Sequence, residues 1–128
     1  MVYQNCKGCI VSDIDYLLPL QNHPKFLGLI PNPVVLPKKL TQKKEHSKTV
    51  KIFLGINSGT YYTKGISFFE EALRLVEQKY QDRITITIVK NIPYKDYIEK
   101  FNDAHIVLDQ VYSFDQGYNA LEAMSKGK

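Results

Sequence analysis

Three times after residue 49, a short apolar run rich in β-branched residues gives way to a segment whose apolar side chains recur at helical spacing. Residues 50–55 (Val-Lys-Ile-Phe-Leu-Gly), 84–89 (Ile-Thr-Ile-Thr-Ile-Val) and 105–109 (His-Ile-Val-Leu-Asp) read as strands. Between them, residues 65–80 place Phe69, Leu73, Val76 and Tyr80 on one side, with Phe68, Ala72 and Leu75 beside them, and Ser67 and Glu70 are spaced as a capping box. Pro93 opens a second helix that carries Tyr94, Tyr97, Ile98 and Phe101 on one face. Residues 119–126 form a third. Strands separated by helices cannot pair as hairpins, so this order predicts an α/β fold, a parallel sheet with flanking helices and right-handed crossovers.

The first 48 residues have a different grain. Residues 9–12 (Cys-Ile-Val-Ser) read as a short buried strand, followed by a helix through Leu20 that Ser12 or Asp13 can cap. Residues 26–30 are a second short apolar run. Pro31-Asn32-Pro33 and Pro37 then break regular structure, and a lysine-rich run follows, so residues 31–48 read as a linker between two folding units. Within 38–51 six lysines (Lys38, Lys39, Lys43, Lys44, Lys48 and Lys51) stand against Glu45, which concentrates there more than the whole chain's net charge of +4. A run with no Arg and no interleaved aromatics is poorly equipped to read or stack bases, so nucleic acid is not an expected partner. A solvated linker explains it, and attraction to an anionic membrane surface is the alternative.

At 128 residues, with 44% hydrophobic residues and 15 aromatics (9 Tyr and 6 Phe), the chain can build a core within the size range of one domain. No run approaches the ~20 apolar residues that span a bilayer, and no secretory leader pattern is visible at the N-terminus, so a cytoplasmic location is expected. Cys6 and Cys9 form a CxxC pair. Zinc would need two further ligands, and His23, His46 and His105 are scattered; redox pairs of the thioredoxin type follow a strand, whereas here the apolar run comes after. Half-buried thiols are the expectation.

Two stretches carry ligand chemistry. After the first strand of the regular region comes Gly55-Ile-Asn-Ser-Gly-Thr-Tyr-Tyr-Thr-Lys-Gly65. Gly55 and Gly59 permit close approach, Asn57 and Ser58 offer polar groups, and Lys64 stands at a helix start where an anion is favoured. A tight turn with an exposed Lys is the plainer account; the spacing matches neither the P-loop nor GxGxxG. The second stretch is Asn119-Ala-Leu-Glu-Ala-Met-Ser-Lys-Gly127, in which Glu122 either caps the helix with Asn119 or accepts hydrogen bonds from a ligand's hydroxyls. Both stretches follow strands of one parallel sheet and so share its carboxyl-end rim, where ligands bind in open α/β folds. A cation for phosphate and an acceptor for hydroxyls together suit a nucleotide-sugar.

The Pro31-Asn-Pro33 linker, the strand ending in Gly55, Lys64-Gly65, Ile92-Pro93-Tyr94, Ala104-His-Ile-Val-Leu108 and Leu121-Glu-Ala-Met-Ser-Lys-Gly127 resemble the group 1 (family 4) glycosyltransferases of the GT-B fold. The resemblance implies a Rossmann-like, incomplete GT-B C-terminal domain, with residues 1–30 a remnant of the acceptor-side domain, 31–48 a basic linker and 49–128 a partial nucleotide-sugar-binding domain. By the same resemblance Gly55, Asn57, Ser58, Lys64 and Glu122 bind the donor, with Lys64 on the diphosphate and Glu122 on the ribose. The family's usual Arg after the first strand is replaced by Ile56-Asn57. The first glutamate of its usual pair is replaced by Phe114, so Asp115 is the candidate to face the transferred sugar and no catalytic residue is assigned.

The function implied is transfer of a sugar from a nucleotide-diphosphate donor to a saccharide or lipid-linked acceptor in polysaccharide or glycolipid biosynthesis, without metal or cofactor. A cytoplasmic location is expected, with peripheral attachment to the inner face of the membrane as the alternative. Three parallel strands are few for such a sheet, so the chain is expected to be a fragment, inactive alone and prone to self-association along an open edge. The alternatives are a non-catalytic nucleotide-binding or protein-interaction module of the same fold, or an inactive remnant.

Overall fold

The computed structural model describes residues 5–37 and 48–128. Four of the six lysines of the basic run (Lys38, Lys39, Lys43 and Lys44) lie outside the described residues. The element order is β1 (Cys9–Val11), α1 (Ile14–Leu20), β2 (Phe26–Leu29), β3 (Val50–Ile56), α2 (Ile66–Tyr80), β4 (Ile84–Lys90), α3 (Tyr94–Asp103), β5 (Ile106–Leu108) and α4 (Tyr118–Ser125).

The strands form two parallel sheets. β1 and β2 pair as a small one, and β4, β3 and β5 form the larger in that order. Its register runs from Val50 opposite Ile84 to Ile56 opposite Lys90, with Ile52 to Leu54 opposite Ile106 to Leu108. β3 is central, and its near-continuous apolar sequence is what a strand covered on both faces requires. Ile52, Leu54 and Ile56 face one way, against Ile66 and Leu73 of α2. Phe53 faces the other, against Phe101 of α3, Ala104 and Ala123 of α4. The Phe53 ring makes T-shaped contacts with the Tyr97 and Phe101 rings at centroid distances of 5.1 and 6.2 Å. Helices thus cover both faces, α2 on one and α3 with α4 on the other, which is a doubly wound, Rossmann-like arrangement.

That winding reverses once within the sheet. From β3 the chain moves through α2 to β4 on one side, then returns through α3 to β5 on the other. The reversal opens a crevice at the carboxyl ends of β3 and β5, the topological switch point. On the outer side β5 has no strand partner among the described residues, and Ile106 (45% exposed) lies along it.

Two expected helix starts are different in the structure. Gly65 adopts φ +65°, a left-handed conformation that an L side chain rarely takes, and α2 begins directly after it with no side-chain cap. Ser67 is already inside the first turn, and Glu70 instead accepts a hydrogen bond from the Tyr61 hydroxyl at 2.5 Å. At α4 the N-cap is Gly117, not Asn119, again without a side-chain cap. Glu122 is therefore the fifth helical residue, too far along to reach the N-cap, and it pairs with Lys126 one turn later at 2.7 Å. The capping account of Asn119 and Glu122 is thereby corrected. Elsewhere Asp13 caps α1 by accepting from the Tyr16 N–H at 3.2 Å, leaving Ser12 to donate to Asp13. Among the described residues, no helix is long and apolar enough to cross a membrane.

Candidate functional site

At the switch point the end of β3 meets loops from both neighbours. Asn57 accepts from the Gly59 N–H at 2.9 Å and so folds residues 58–60 into a single tight turn. The Ser58 N–H donates to Asn91 Oδ1 at 3.0 Å, and Asn91 Nδ2 donates to the Ser58 hydroxyl at 2.7 Å. These bonds lock the loop after β3 to the loop after β4. Ser58 is engaged in that brace and does not line the cleft.

The cleft above them has a volume of about 310 Å³, and its polar lining comes from Asn57, Thr60, Lys64, Asn91, Tyr97 and Asn119. Gly55 forms part of its floor. A Cβ built on Gly55 would stand 2.4 Å from Tyr97 Cε2, so the group that uses the glycine's missing side chain is the Tyr97 ring. Gly59 opens no such space, having only the Asn57 side chain nearby.

Lys64 is where the sequence places it but not as an unengaged cation. Its ammonium lies 2.5 Å from Asp109 Oδ1, with the Lys64 side chain 26% and the Asp109 side chain 8% exposed. Its carbonyl accepts from the Val111 N–H at 2.9 Å, so residues 109–111 are fastened to Lys64 at both ends. The other carboxylate oxygen of Asp109 is buried without a hydrogen-bond partner. It faces Gly117, where a Cβ would come within 2.5 Å of it.

Burial, and then the negative charges of Asp109 and Glu122, push the Tyr97 phenol up to about 12. Tyr97 therefore stays protonated through the physiological range and offers the cleft a neutral hydroxyl. Glu122 is outside the cleft lining, one i,i+4 ion pair away along α4. Asp115 is also elsewhere. Its carboxylate accepts from the Ile14 N–H at 3.0 Å and from the Gln116 N–H at 2.8 Å. In the same contact Asp15 accepts from the Ser113 hydroxyl and the Phe114 N–H, which hold its carboxyl below the usual range. The loop after β5 thus joins the main sheet to α1.

The structure brings Gly55, Asn57 and Lys64 together and leaves Ser58, Asp115 and Glu122 outside. Asp109, Asn91, Tyr97 and Asn119 complete the site. Asp109 carries the same signal as Lys64, being the acidic residue at the carboxyl end of its strand. Tyr97 is hidden in the sequence by its place on an apolar helix face. Cys6 and Cys9 are not joined to each other; Cys9 Sγ donates to the Lys25 carbonyl at 3.4 Å, and the Lys25 ammonium donates to the Cys6 carbonyl at 2.8 Å. Among the described residues, no three His, Cys, Asp or Glu side chains converge as a metal site.

Comparison with protein-family models, with curated proteins and with solved structures gives no match to this chain. The chemistry of the cleft is what bears on function.

Proposed function

We propose that the cleft at the carboxyl ends of β3 and β5 is the donor site of a glycosyltransferase of the GT-B type, taking a nucleotide-diphosphate sugar whose sugar passes to a saccharide or lipid-linked hydroxyl. One observation carries the reading: at the switch point of a parallel sheet, Lys64, paired with Asp109, shares one cleft with the neutral hydrogen-bonding groups of Asn57, Asn91, Tyr97 and Asn119. A diphosphate requires the cation, and a sugar requires the neutral donors and acceptors. At about 310 Å³ the cleft is at the small end of ligand sites, the size for a diphosphate and part of a sugar. The rest of a nucleotide would extend along α4 toward Glu122. An acceptor would approach from the side of α1, to which the loop after β5 is bonded.

The test is calorimetry with UDP and GDP. Removing Lys64 alone strips a nearly buried carboxylate of its cation, which costs roughly 3–5 kcal/mol for a fully buried pair. Affinity is therefore best compared between Asp109→Asn and Lys64→Ala/Asp109→Asn, which differ at Lys64 alone. The expected loss is about 1.5–3 kcal/mol of binding, the worth of a charge-assisted phosphate contact. Unchanged affinity would remove Lys64, and with it the donor site.

A second reading has its own observation. Among the described residues the cleft lining includes no Asp, Glu or His, and Asp109 just behind it is held by Lys64. A non-catalytic nucleotide-binding module needs no acid or base, and sugar transfer from a radiolabelled donor to a lipid or saccharide acceptor separates the two.

A further inference from the structure

We infer that Asp109 is an internal stand-in for the ligand's phosphate, a carboxylate that fills the anion seat and must leave when a diphosphate enters. The inference rests on the reading that the anion goes to Lys64, and it adds a competitor built into the chain. Two groups make the seat. One is the Lys64 ammonium, 2.5 Å from Asp109 Oδ1. The other is the N-terminus of α4, an eight-residue helix whose N-cap is Gly117 and which no side chain caps. Uncapped N–H groups and the helix dipole make such an end attractive to negative charge.

Asp109 Oδ2 is directed at that end. A side chain at position 117 would bring its Cβ within 2.5 Å of this oxygen, so only glycine leaves room for the carboxylate there. Yet Oδ2 makes no hydrogen bond and is buried. Buried polar atoms are normally satisfied, and an ionised oxygen without a partner is the costliest kind to leave so. The carboxylate is therefore well held on one oxygen and poorly held on the other. A diphosphate supplies more acceptor oxygens and more charge to the same two positive groups, and it can displace Asp109 toward solvent. The displaced residue begins the loop that is bonded to Lys64 through Val111 and to α1 through Phe114 and Asp115. Occupation of the seat thus loosens a segment that reaches the N-terminal unit.

The experiment titrates wild type, Asp109→Asn and Lys64→Ala/Asp109→Asn with inorganic pyrophosphate, following melting to confirm folding. Asparagine keeps the size and removes the competing charge. Asp109→Asn should bind pyrophosphate at least ~10-fold more tightly than wild type, and the double variant should lose that gain. Equal or weaker binding by Asp109→Asn overturns the inference, even where wild type binds UDP as the donor reading requires. A gain in pyrophosphate affinity with no UDP binding by wild type supports the seat and sinks the donor reading. Should Asp109→Asn fail to fold, the wild-type protein still decides: the amide resonances of Val111, Gly117 and Tyr118 should shift with the midpoint of pyrophosphate binding. Resonances that stay in place while pyrophosphate binds overturn the exchange.

Discussion

Gly55→Ala distinguishes a glycine kept for packing from one kept for a ligand. The added Cβ would stand 2.4 Å from Tyr97 Cε2, whereas unstrained carbons sit about 3.5 Å apart, so the ring must retreat by roughly 1 Å. It has little room, because the Tyr97 ring makes a T-shaped contact with Phe53 at 5.1 Å and stacks on Phe101 at 5.9 Å. Overpacking of this kind costs about 1–3 kcal/mol, offset by about 0.4–1 kcal/mol from the stiffer unfolded chain. A net loss near 1.5 kcal/mol follows, or roughly 6 °C in Tm at this length. Urea denaturation with no nucleotide present reads it directly. Tyr97→Leu combined with Gly55→Ala should restore part of the loss, with a coupling energy of at least ~0.5 kcal/mol. A Gly55→Ala protein as stable as wild type, or two variants whose effects simply add, would refute the packing account.

Tyr97 should be among the last tyrosines to ionise, since burial first and the charges of Asp109 and Glu122 next raise it to about 12. An unfolded chain releases that proton near 10, so its contribution to stability is full below pH 10 and is lost as pH rises toward 12. The loss is bounded by roughly 2.7 kcal/mol and is smaller once solvent screening of a half-buried ring is counted. Phenolate absorbance compared between wild type and Tyr97→Phe measures it; a difference spectrum centred near 10 would contradict it. Glu122→Gln should cost only about 0.3–0.5 kcal/mol of stability, the worth of its i,i+4 pair with Lys126 rather than of a cap. If Glu122 also meets ribose, the same variant weakens nucleoside-diphosphate binding; equal affinity limits it to the ion pair.

The sheet and its flanking helices were legible because the apolar pattern changes period at each element, and burial on both faces made β3 continuous in its hydrophobicity. Helix starts were less so. Gly65 and Gly117 begin α2 and α4 through backbone conformation alone, which leaves no polar signature, while Ser67–Glu70 and Asn119–Glu122 mimic a cap whose register the folded chain does not use. The site divides in the same way. Lys64 stood out as a charge after a strand, but its pairing with Asp109 spans 45 residues and depends on β5 lying beside β3. Sequence periodicity does not disclose strand order. Asp115 shows the opposite limit: it lies next to the expected acidic position, yet the loop turns it toward Ile14.

The central claim is that a nucleoside diphosphate binds at the switch point between β3 and β5. The most direct measurement is a titration of the isotopically labelled protein with UDP and with GDP, followed through its backbone amide resonances. The account predicts that the largest shifts fall on Asn57, Thr60, Lys64, Asn91 and Asn119, which line one cleft. Shifts gathered instead on Ile10, Tyr16, Leu20 and Ile30, around the cleft of the small β1–β2 sheet, or no saturable shift with either nucleotide, would contradict it.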